Sequence, residues 1–159
     1  VCRIKKGGLL LEIERKYLIR HLPAHLRLDS FSCRIIEQGY LNTTPVIRIR
    51  KDNDKYELTY KSSGLMTREE YNLPLTEKAY LHLLPKIDGR LIRKKRYMIP
   101  LSDILTIELD LFEGDLAPLI LAEVEFPDET SANTFCAPDW FGKDVTFSGE
   151  YHNSNLSKM

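Results

Sequence analysis

The chain has 159 residues, enough for one domain with a sizeable core. Its 23 basic residues balance 23 acidic ones, so no net field draws it to nucleic acid or to an anionic membrane, and a bound anion has to be met by bases gathered locally. No apolar run has the length of a membrane span, no secretory pattern opens the sequence, and Cys2, Cys33 and Cys136 are too few and scattered for a disulfide framework or a zinc site, so a cytoplasmic protein with reduced thiols is expected.

In chain order, residues 1–8 read as a loose lead-in, followed by a strand over about 9–19. Side chains two apart in a strand share a face, which puts Glu12, Glu14 and Lys16 together. Pro23 suits the first position of a short helical turn over 23–27. Extended stretches are expected at about 33–41, 46–51, 55–61 and 67–73, with Asp52-Asn53-Asp54 as a hairpin turn and Cys33 as a small core residue. Thr76 caps a helix that has Glu77 in its first turn and an apolar side of Tyr80, Leu81, Leu83 and Leu84, and Pro85 ends it. Longer strands follow at about 90–99, 104–112 and 119–126, the last two joined through Gly114-Asp115. From Asp128 the sequence is turn-rich, and Trp140-Phe141 is expected to plug a barrel end or pack the tail. About eight strands with little helix indicate an antiparallel sheet, and closure removes its exposed edges.

The charge pattern of the first strand recurs. Arg48 and Arg50 share a face; so do Glu57, Thr59 and Lys61, then Arg68, Glu70 and Asn72. Lys94 with Arg96, Glu108 with Asp110, and Glu123 with Glu125 continue the series. A solvated face explains any one of these strands. Taken jointly, four carboxylates close across one turn ask for a hard divalent cation, and paired guanidinium groups ask for an anion such as phosphate. His21, His25, His82 and His152 are scattered and read as surface or packing residues, while Tyr40 and Tyr97 are strand residues whose hydroxyls could reach the site, packing being the preferred reading.

The ordered set Glu12-x-Glu14-x-Lys16, Gln38-Gly39-Tyr40-Leu41, Arg48-x-Arg50, Leu58-Thr59-Tyr60-Lys61, Arg68-x-Glu70, Lys94-x-Arg96, Glu108-x-Asp110, Glu123-x-Glu125 and the tail Tyr151-His152-Asn153-Ser154-Asn155-Leu156 resembles the CYTH superfamily, the triphosphate tunnel metalloenzymes. The likeness spans about residues 9–156 of a single domain covering 1–159. Asn72 departs from it, since many members carry an acid there.

The resemblance implies an α+β, mainly antiparallel β architecture: an eight-stranded closed tunnel barrel with a charged interior and helices packed outside. It implies two Mg²⁺ or Mn²⁺ ions held by Glu12, Glu14, Glu123 and Glu125, with help from Glu108 and Asp110. It implies a phosphate cradle of Lys16, Arg48, Arg50, Lys61, Arg68, Lys94 and Arg96, of which Lys16, Lys94 and Arg96 are the expected catalytic members, and Glu70 as an orienting residue. The expected reaction is metal-dependent hydrolysis of inorganic triphosphate or a triphosphate-bearing metabolite. Its alternatives are a class IV adenylyl cyclase, a thiamine triphosphatase and a polyphosphate- or nucleotide-binding module. A triphosphate or nucleoside triphosphate partner is expected and a homodimer is compatible, with no nucleic acid or membrane partner.

Overall fold

The computed structural model describes residues 5–6 and 9–159, with side chains from Leu11 onward. The expected lead-in therefore lies outside the described residues except for a two-residue strand, β1 (Lys5–Lys6), and so does Cys2. The main strands are β2 (Leu9–Leu18), β3 (Ser32–Thr43), β4 (Val46–Asp52), β5 (Lys55–Lys61) and β6 (Thr67–Leu75), then β7 (Asp88–Pro100), β8 (Thr106–Phe112) and β9 (Ile120–Glu125). Helix α1 (Glu77–Leu83) separates β6 from β7, and α2 (Glu129–Thr134) and α3 (Asn153–Leu156) follow the sheet.

Eight strands close on themselves in the order β2-β6-β5-β4-β3-β7-β8-β9, with β9 returning to β2 and every pairing antiparallel. Strand β2 makes the seam by serving two neighbours in succession. Its first part pairs with β6, Glu12 opposite Arg68; from Glu14 to Leu18 it pairs with β9. Closure leaves no long sheet edge to pair with another chain.

The alternation of each strand separates two environments. Outward-facing Ile13, Tyr17, Ile107, Leu109, Ala122 and Val124 form a core under the loops and α2, with Phe126 and Phe135 packed edge-on at 5.0 Å between ring centroids. The inward rows carry the charged residues. Toward one end those rows turn apolar: Leu18, Ile92, Phe112 and Leu121 gather with Tyr40, Val145 and Leu156 into a second cluster. The tail thus packs against the end of the barrel interior.

Local signals act as their chemistry dictates. The Thr76 hydroxyl accepts the Ala79 N–H at 3.1 Å and caps α1, and Asn53 takes a positive φ of 50° in the β4–β5 turn. Some local expectations are corrected. Residues 23–27 form a turn in which the Leu26 N–H donates to the Pro23 carbonyl at 2.9 Å; the helical turn falls instead at Leu28–Ser30, because Arg27 is extended. The tail contains two short helices, α2 being capped by Asp128, whose carboxylate accepts the Ser131 N–H at 2.7 Å. Cys33 is exposed, on the outward side of β3 where no layer covers it, and Leu81 is exposed on α1. Of the two placements expected for Trp140-Phe141, packing the tail is the one found, with Phe141 4.9 Å from the Tyr17 ring on the outer face of β2. Among the described residues no helix is long and apolar enough to cross a membrane.

Candidate active site

The barrel interior holds a cavity of about 340 Å³ whose walls are mostly charged. Bases come mainly from β3, β4, β5, β6 and β7, acids mainly from β2, β8 and β9, because each strand aims alternate residues inward.

On the basic side, Arg48 donates to Thr59 Oγ1 at 2.7 Å and Arg50 donates to Gln38 Oε1 at 2.9 Å, so neutral oxygens hold both guanidinium groups in place. Burial first, then the proximity of Arg48 and Arg96, push the Arg50 guanidinium down to about 9. Positive charge is therefore in excess here, the condition an anion relieves. Lys61 lies 2.5 Å from Glu12 and 3.0 Å from Glu70, while Arg68 lies 3.6 Å from Glu12 and 3.5 Å from Glu14.

On the acidic side, like charges stand opposite one another: Glu14 pairs in register with Glu125, and Glu123 with Glu108. Such pairs are unfavourable without a cation between them. Lys16 supplies one, 2.9 Å from Glu123 and 3.6 Å from Glu14. Burial raises the Glu12 carboxyl to about 7; Lys61 opposes this, and Glu14 and Glu70 add to it. Burial works the same way on Glu14, Glu70 and Glu123, but their cationic neighbours outweigh it and hold all three below the usual carboxylate range.

Arg96 is the hub between the two sides. It donates to both Asp110 oxygens at 2.6 Å, to Glu123 at 2.7 Å and to Glu108. Lys94 and Asp110 pair with each other, are fully buried, and lie behind Arg96 rather than on the cavity wall. Burial, then Arg96, push the Lys94 ammonium down to about 8. Every other expected site residue lines the cavity: Glu12, Glu14, Lys16, Arg48, Arg50, Lys61, Arg68, Glu70, Arg96, Glu108, Glu123 and Glu125.

A metal's fit follows from the donor set. Among the described residues no three acids converge on one point as a preformed cage, and the carboxylates of Glu12, Glu14 and Glu123 are turned toward ammonium or guanidinium groups. The donors themselves fit: carboxylate oxygens on the adjoining strands β2 and β9 are the hard ligands Mg²⁺ and Mn²⁺ take. Burial, with Glu14 and Glu70 close by, makes the charged form of Glu12 costly, a cost that a bound cation lowers.

Several wall residues lie outside the expected set. Arg34 lines the cavity from β3, and its spacing two and four residues before Ile36 and Gln38 is a readable signal for the same face. Tyr40 also reaches the wall. His152, Asn153 and Ser154 arrive from the tail, where no strand periodicity could place them. Burial, then Lys16 and Arg68, push the His152 imidazole down to about 4, so it is neutral at pH 7.

Comparison with known proteins matches this geometry. Over 152 residues the chain is 38% identical to an inorganic triphosphatase of Nitrosomonas europaea, spanning 93% of this chain and 97% of that protein. It is 37% identical over 152 residues to an inorganic triphosphatase of Acetivibrio thermocellus, spanning 92% of this chain and 93% of the relative. The fold superposes on the crystal structure of an inorganic triphosphatase with a TM-score of 0.68 and 36% identity, covering 93% of this chain and 95% of that one. Residues 10–159 match the CYTH domain, and the chain belongs to that family.

Proposed function

We propose that the protein hydrolyses inorganic triphosphate to phosphate and pyrophosphate in the presence of Mg²⁺ or Mn²⁺. The observation that carries this reading is the sorting of charge in one cavity: a cationic wall centred on Arg48 and Arg50 faces an acidic wall built from β2 and β9. A linear polyanion with bound cations is complementary to both walls at once. The naming of two relatives as inorganic triphosphatases supports the same substrate.

Arg48, Arg50, Lys61, Arg68, Arg96 and Lys16 bind and orient the chain of phosphates, and their fixed positions stabilise charge that builds up in the transition state. The oxygen of a water bonds to the terminal phosphorus. The bridging P–O bond breaks, its electron pair leaves on pyrophosphate, and the proton of the attacking water passes to solvent. Glu12, Glu14, Glu123 and Glu125 would hold the metal, with Glu108 alongside, and the metal when bound offsets phosphate charge and acidifies water. Glu70 holds Lys61 in place. Lys94 and Asp110 act behind the wall: their pair fixes the guanidinium of Arg96.

The test is product analysis on purified protein with Mg²⁺ or Mn²⁺. Phosphate released from tripolyphosphate is the expected result. Cyclic AMP formed from ATP, with no phosphate from tripolyphosphate, would replace hydrolysis with cyclisation.

A further inference from the structure

Three inward residues on neighbouring strands form one rung of the barrel. Arg48 on β4 stands opposite Thr59 on β5, and Thr59 stands opposite Asn72 on β6. Their side chains are joined in the same order. Arg48 Nη2 donates to Thr59 Oγ1 at 2.7 Å, and the Thr59 hydroxyl donates to Asn72 Oδ1 at 2.7 Å. Asn72 Nδ2 then donates to Glu70, whose other oxygen lies 3.0 Å from Lys61, the residue opposite it on β5. A line of polar contacts thus runs from Arg48 to Lys61.

Chemistry dictates the direction of each bond. A guanidinium only donates and an ionised carboxylate only accepts, so every group between them has to accept on one side and donate on the other. A hydroxyl followed by a primary amide does this. An aspartate in place of Asn72 would keep the Thr59 bond but set a second carboxylate against Glu70, and a leucine would break both bonds.

The rung also has little support from elsewhere. Thr59 is fully buried, and the Nε of buried Arg48 has no hydrogen-bond partner among the described residues. Glu57 stands 3.9 Å from Arg48 and 3.4 Å from Thr59 Oγ1, so it holds neither as closely as the rung does. The aim of the guanidinium therefore depends on Thr59, and the aim of the hydroxyl on Asn72.

We propose that Asn72 is a positioning residue for cleavage of the phosphate chain: its amide fixes the Arg48 guanidinium through Thr59 and the Lys61 ammonium through Glu70. The inference rests on the triphosphatase reading of the cavity. Losing the amide leaves both cations in place, so attraction for the substrate persists while their geometry in the transition state is lost.

The test compares wild type with N72L, T59V and the double variant T59V/N72L, on tripolyphosphate with Mg²⁺. N72L and T59V should each lower kcat by about tenfold or more, with KM held within about twofold. Because the two residues act in series on Arg48, the double variant should fall no more than about twofold below N72L. T59S, which keeps the hydroxyl, should recover most of the kcat lost in T59V. N72A replaces N72L if N72L does not fold. An unchanged kcat in N72L, or losses that multiply in the double variant, overturns the proposal and leaves the triphosphatase reading intact. A second readout needs no turnover: nitrogen NMR of the arginine side chains, with the Arg48 signal identified through Arg48→Lys. Rotation of the Arg48 guanidinium should be hindered in wild type and T59S and faster in T59V and N72L. If wild type cleaves no tripolyphosphate, the triphosphatase reading falls and the spectra decide alone. An Arg48 signal identical in N72L and wild type then overturns the link from Asn72 to Arg48, and faster rotation in N72L upholds it.

Discussion

The Lys16 ammonium ties the barrel seam together, lying 2.9 Å from Glu123 on β9 and 3.6 Å from Glu14 on its own strand. Both carboxylates face the cavity beside Glu125, so one ammonium offsets a row of buried acids. Removing one partner of a buried ion pair typically costs ~3–5 kcal/mol, because the remaining charge has no compensation. Lys16→Ala should therefore lower stability by about that amount in chelator. Added Mn²⁺ should restore a larger share of stability to the variant than it adds to wild type. Denaturant unfolding with and without Mn²⁺ checks this, and equal metal effects on both proteins would contradict it.

Excess positive charge at Arg50 predicts stabilisation by anions. At 100 times its dissociation constant a ligand adds about 2.7 kcal/mol to the folded state. Tripolyphosphate should raise the Tm of wild type accordingly, and Arg50→Ala should remove most of that rise. The same variant without ligand should melt no lower than wild type by more than ~1 kcal/mol, since it relieves repulsion from Arg48 and Arg96.

The His152 imidazole gives a pH dependence of known sign. Its folded value, near 4, lies below the ordinary 6.5, so the unfolded chain binds the proton more tightly. Its contribution to stability is present above pH 6.5 and is lost as pH falls toward 4. Glu14, Glu70 and Glu123 also lose stability in acid, below the usual carboxylate value of 4.5, as pH falls through their lowered folded values. Comparing His152→Gln with wild type isolates the histidine: between pH 6.5 and 5 the variant should lose less stability. Parallel curves would show that the imidazole is not held neutral.

Gly89 anchors the tail that reaches the cavity. It has a φ of +72°, a Cβ there would lie 2.2 Å from the Ser157 carbonyl oxygen, and that oxygen accepts the Arg90 N–H at 2.8 Å. Gly89→Ala should cost about 1–3 kcal/mol and, by displacing His152–Ser154, raise the KM for tripolyphosphate several-fold. Gly114→Ala is the control, with a φ of +63° and open space around the added carbon; its KM should not move.

Much of this architecture is legible in the sequence, for a specific reason. Residues two apart on a strand share a face, so Glu12, Glu14 and Lys16, or Arg48 and Arg50, declare their side before any fold is known. What the alternation does not reveal is depth. Lys94 and Arg96 look equivalent in sequence, yet Lys94 lies behind the wall with Asp110 while Arg96 reaches the cavity. Chain-distant arrivals are equally hidden: His152 enters as the residue preceding a four-residue helix whose Leu156 packs against the barrel's apolar end. Arg34 was readable from its spacing to Gln38 but belongs to no charged pair in the sequence, its partner Asp52 being on the next strand.

The central claim is that the acids of the β2–β9 seam hold the metal for triphosphate cleavage. The most direct measurement is the initial rate of phosphate release from tripolyphosphate by wild type and Glu14→Gln, at saturating Mg²⁺ and again in excess chelator. Cleavage by wild type that stops with chelator, and a loss of at least a hundredfold in the folded variant with metal present, is the predicted result. An unchanged rate in Glu14→Gln with metal present would contradict it.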